Sequence, residues 1–81
     1  MYKNRAENGW NNLCGAKVKA YRQKLPHPTS QKMLADMLQV EGLDIDKNAV
    51  QRIESGQRFV TDIELKTIAK VLHVSYEDLL E

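Results

Sequence analysis

Apolar residues recur along this chain at spacings of three and four. No stretch holds a period of two in Val, Ile, Thr and aromatics, so strands are not expected. After ten residues with little pattern, Asn11 or Asn12 can cap a first helix. On it Cys14, Val18, Tyr21, Arg22 and Leu25 share one face. Leu25-Pro26-His27-Pro28 ends that helix, because each proline pushes its predecessor out of the α region. A second helix starts from Thr29 or Ser30 and carries Met33, Leu34, Met37 and Leu38; Gly42 followed by Leu43 reads as its stop. A third starts from Asp46, carries Val50 and Ile53, and ends at Gly56. The fourth has a capping box, Thr61 with Glu64, bracketed by a Val60–Leu65 staple, and a stripe of Leu65, Ile68, Ala69 and Leu72. A fifth repeats the device with Ser75, Asp78 and the Val74–Leu79 pair. Five short helices with short connections predict a compact all-α bundle.

Composition narrows the function classes. The 81 residues make one domain with one core, 42% hydrophobic and 28% charged. Cys14 is the only cysteine, so no disulfide forms within the chain, and on the apolar stripe it reads as a buried, inert thiol. No apolar run approaches the ~20 residues of a membrane span, and the start Met1-Tyr2-Lys3-Asn4 has no apolar region behind it, so a cytoplasmic location is expected. A core this small seldom encloses a deep pocket; binding to something larger is expected, and enzyme activity is not. His27 and His73 have no Cys, Asp or Glu at ligand spacing, the four glycines are dispersed, and no metal or other cofactor is expected. Met33 and Met37 read as core filler. Trp10 either packs on the bundle or is an exposed partner contact.

Charge matters by region. Residues 1–32 hold seven Lys/Arg and one acid, net +6; residues 33–81 hold five bases and ten acids, net −5. A polyanion would meet the first region and avoid the second, although a basic helix is also an ordinary solvated face.

Three segments occur in order: Ser30-Gln31-Lys32-Met33-Leu34-Ala35, Val50-Gln51-Arg52-Ile53-Glu54-Ser55-Gly56, and Leu65-Lys66-Thr67-Ile68-Ala69-Lys70-Val71-Leu72-His73-Val74. Together with the closing Asp78-Leu79-Leu80 they resemble the Cro/lambda-repressor-like (XRE-type) helix-turn-helix family over residues 13–81, leaving 1–12 as an N-terminal extension. The resemblance implies a five-helix fold and sequence-specific binding to duplex DNA, usually by a bacterial or phage regulator. One departure stands out. Ala35 and Glu54 are nineteen positions apart, about five more than the tight family turn allows, which predicts a lengthened connection between helices 2 and 3 within Gln39–Asp46.

Reading DNA needs phosphate contacts for register and base-edge contacts for sequence. With helix 3, about residues 46–55, in the major groove and Val50 and Ile53 facing the core, Lys47, Asn48, Gln51 and Arg52 point outward. Arg or Lys donates to guanine, and Asn or Gln pairs both ways with adenine. The resemblance puts Lys47, Asn48 and Arg52 at base-reading positions and Gln51 at the flank; Ala49 either touches a thymine methyl or packs. Gln31, at the start of helix 2, is matched to a phosphate contact, with Lys32 and Arg58 as further phosphate candidates. Lys3, Arg5, Lys17 and Lys24 read as ordinary solvated bases. Arg22 and Glu54 are matched to an ion pair tying helix 1 to helix 3, which fits a charged residue on an apolar stripe. The expected function is a repressor that occupies its operator as a homodimer on double-stranded DNA, without a membrane. The alternative is a protein-interaction module of the same fold, an antitoxin-like or anti-repressor chain with a protein partner.

Overall fold

The computed structural model describes residues 9–81. The expectations for Lys3, Arg5 and residues 1–8 of the extension lie outside the described residues. Five helices follow in order: α1 (Gly15–Gln23), α2 (Gln31–Val40), α3 (Lys47–Glu54), α4 (Asp62–Leu72) and α5 (Tyr76–Leu80), with no strand among the described residues. Among the described residues no helix is long and apolar enough to cross a membrane.

Local side chains fix four of the helix starts. Ser30 accepts from the Met33 N–H (3.1 Å), Asp46 from Ala49 (2.8 Å), Thr61 from Glu64 (3.2 Å) and Ser75 from Asp78 (3.1 Å). Both capping boxes close: Glu64 takes the N–H of Thr61, and Asp78 that of Ser75. The first helix differs from expectation. It begins at Gly15, whose N–H Asn12 Oδ1 accepts at 2.8 Å from outside the helix.

Two helices stop alike. Gly42 and Gly56 have φ of +91° and +81°, a region that favours glycine. After Gly42 the Leu43 N–H reaches Leu38 O (3.0 Å); after Gly56 the Gln57 N–H reaches Arg52 O (2.9 Å). Each bond closes a Schellman end. α4 stops on His73, the one non-glycine residue with positive φ (58°) among the described residues.

The core is built from Val18, Leu34, Leu38, Val50, Ile53, Ile68 and Leu79, with Ile45 added from the α2–α3 connection. Fully burying each aliphatic side chain contributes about 1.5–3 kcal/mol. α3 packs against α2 and α1, and α5 against α1 and α4. The connection between α2 and α3 runs from Glu41 to Asp46. Ile45 inserts into the core, and its carbonyl accepts from Gln39 Nε2 (2.9 Å). The added length is therefore a plugged segment rather than a loose loop.

Met33 and Met37 correct the sequence reading. They are 45% and 37% exposed and do not fill the core. The buried face of α2 is narrower than its apolar stripe, and Leu34, Ala35 and Leu38 occupy it.

Candidate nucleic-acid interface

The two faces of α3 differ sharply. Ala49, Val50, Ile53 and Glu54 are buried, whereas Lys47, Asn48, Gln51 and Arg52 are exposed. None of those four side chains makes a hydrogen bond or ion pair among the described residues, so their donors and acceptors face solvent. Ala49 is 8% exposed, which assigns it to packing. The helix is a short rod with one face fixed and a polar edge open along its length.

Glu54 fixes the end of that rod. Arg22 grips it with two parallel bonds, Nε to Oε2 at 2.7 Å and Nη2 to Oε1 at 3.0 Å. The third arm of the guanidinium, Nη1, donates to the Thr29 carbonyl at 2.8 Å. The two residues are 9% and 6% exposed. A bidentate, charge-assisted pair in which all three guanidinium nitrogens are hydrogen-bonded is the arrangement that tolerates such burial. Gln31 joins it, donating from Nε2 to Glu54 Oε1 at 3.0 Å.

The phosphate candidates are spread over two places. Gln31 and Lys32 open α2, where the cap takes up only the Met33 N–H and the first backbone N–H groups have no intrahelical acceptor. One amide hydrogen of Gln31 is committed to Glu54 and the other is available. Lys32 is exposed and bonds Asp36 at 3.2 Å. Arg58 follows α3 but closes its fork on Glu64, Nη1 to Oε1 at 3.0 Å and Nη2 to Oε2 at 2.9 Å. That pair holds the Glu64 carboxyl below the usual carboxylate range and raises Arg58 above its usual value. With Nη1 also donating to the Phe59 carbonyl at 3.2 Å, three of the five guanidinium hydrogens of Arg58 are committed within the protein.

Sequence reasoning missed the second role of Glu64. The capping box accounted for it, yet a carboxylate has lone pairs enough for both tasks. It named Asn12 as a cap but missed the reach of its amide, which donates to the carbonyls of Ile53 (3.1 Å) and Arg58 (2.7 Å). Cys14 is 1% exposed, and burial pushes its thiol pKa up, away from a reactive thiolate. Among the described residues no group of three His, Cys, Asp or Glu is placed to hold a metal ion.

A sequence profile of the helix-turn-helix family matches residues 18–79. The chain belongs to the XRE-type helix-turn-helix family. The fold is similar to the restriction-modification controller protein C.AhdI from Aeromonas hydrophila: TM-score 0.66, 25% identity, 80% of this chain and 84% of that one. It is also similar to the DNA-binding domain of BldD, with a TM-score of 0.71 and 24% identity over 94% of this chain and all of that one, a likeness of fold. No curated protein matches. Together these findings support a DNA-binding regulator.

Proposed function

We propose that the chain is a sequence-specific, duplex-DNA-binding repressor that occupies its operator as a homodimer. The observation that carries the reading is the open polar edge of α3. Four side chains suited to base edges stand clear of protein partners on a rod whose other face is buried. Lys47, Asn48 and Arg52 read bases, with Gln51 at the flank. Gln31, Lys32 and the start of α2 take phosphate, and Arg58, partly committed to Glu64, is a secondary phosphate contact.

One module reads few base pairs, so a second copy on a pseudo-palindrome is required for useful affinity, with half-sites about one helical turn apart. The self-contact we favour is the α4–α5 face. There Ile63 is 70% exposed, and with Tyr76 and Leu80 it lines an open groove of about 420 Å³ rimmed by Asp62 and Lys66. A rim carrying both charge signs lets the patch face itself across a two-fold axis.

Selection of bound duplexes from a random pool tests the reading. Enriched sequences with two symmetric half-sites are expected. Arg52→Ala should then cost ~1–3 kcal/mol and relax preference at one base pair. A chain that binds no duplex even at low salt removes the reading and leaves the protein-interaction module, for which the acidic C-terminal region speaks.

A further inference from the structure

We infer that Trp10, Asn11 and Asn12 form a strap that sets the pose of α3, and that Asn12 is a positioning residue for base reading. The inference rests on the DNA-reading proposal above. These residues lie before the segment 18–79 that matches the family.

The strap crosses the C-terminal end of the helix, where backbone carbonyls lose their intrahelical partners. Asn11 donates its N–H to Gly56 O and its Nδ2 to Gln57 O, both at 2.8 Å. Asn12 donates Nδ2 to Ile53 O and Arg58 O, while its Oδ1 accepts the first N–H of α1. One side chain thus couples the start of α1 to the end of α3. Trp10 lays its indole on Gly56 so closely that a Cβ there would overlap the ring. On the other side of the joint, a Cβ on Gly15 would collide with the Ile53 carbonyl. Four carbonyls within six residues, Ile53, Gly56, Gln57 and Arg58, are therefore held from one side.

Grip at the end of a rod controls its angle. An eight-residue helix is about 12 Å long, so a 1 Å swing at one end tilts it by roughly 5°. Arg52 sits one residue before the gripped Ile53, and a 1 Å displacement there exceeds the positional precision of about 0.5 Å that a functional contact needs.

The test uses Asn12→Asp and Trp10→Ala in the full chain, titrated against the selected operator and against a random duplex. Asn12→Asp keeps the acceptor for Gly15 and removes both donations to the end of α3. Its added charge acts on both duplexes alike, because phosphate attraction is sequence-independent. The operator-to-random affinity ratio should fall roughly ten-fold in each variant, and the effect of Asn12→Asp should be non-additive with Arg52→Ala. A merely structural role lowers both affinities together, through the folded fraction, and leaves the ratio alone. An unchanged ratio in both variants, with the wild type reading its operator, overturns this inference and spares the proposed function. A wild-type chain that binds no duplex overturns the proposed function first and this inference with it.

Discussion

The two ends of α3 are held in different ways. The C-terminal end is tied to every element around it: to α1 through Arg22 and Glu54, to α2 through Gln31, to residues 10–12, and just beyond the helix to α4 through Arg58 and Glu64. The N-terminal end has its own Asp46 cap and the buried Ile45 beside it. The long α2–α3 connection enters at this second, less tethered end. The difference teaches where an XRE-type domain can absorb extra residues. Length is added where one apolar plug and one cap restore the helix start, while charged and hydrogen-bonded ties at the other end keep the rod in place.

The largest effect should come from breaking the tethered end. Glu54→Ala leaves the Arg22 guanidinium buried without its partner and should cost about 3–5 kcal/mol, read by urea denaturation. A loss no greater than that of Asp46→Ala would erase the asymmetry. Gly56→Ala comes next. The left-handed conformation costs an alanine ~1–2 kcal/mol, and overlap with the indole adds to it. In a Trp10→Ala background only the overlap should disappear, so the residual loss separates backbone strain from contact. Asp46→Ala should cost ~1 kcal/mol, with amide exchange quickening in the first turn of α3 and little changed near Ile53. The smallest change is a pH effect. The folded-state pKa of Glu64 is lowered, so the Arg58–Glu64 tie is fully present above the carboxylate range and is lost as pH falls through the lowered value. Glu64→Gln should flatten that acid-side decline in denaturation midpoints measured from neutral pH downward; an identical slope in wild type and variant would remove Glu64 from the account.

What could be read from the sequence was local. Ser30, Asp46, Thr61 and Ser75 sit within three residues of the N–H groups they cap, so a short window contains cause and effect. Gly42 and Gly56 likewise mark their own stops. The start of α1 was legible only in part: Asn12 takes the Gly15 N–H three residues on, but its amide also answers carbonyls more than forty positions away. Ile45 was missed because it lies between Asp44 and Asp46 and reads as part of a polar connection; its burial depends on a core that forms only in three dimensions. The methionines erred in the opposite direction. Periodicity assigns Met33 and Met37 to a stripe but says nothing of how wide a face the neighbouring helices cover. At the interface, the outward direction of Lys47, Asn48, Gln51 and Arg52 followed from the two buried positions of α3, whereas the partners of Gln31 and Arg58 needed the packed bundle.

Trp10 is the only tryptophan in the chain, and it rests on the residue that closes α3. Excited beyond the absorption of the three tyrosines, the protein therefore emits from a single place. Intrinsic fluorescence follows the seating of that joint directly, without a dye, and any lifting of the indole from Gly56 registers as a change in colour and intensity.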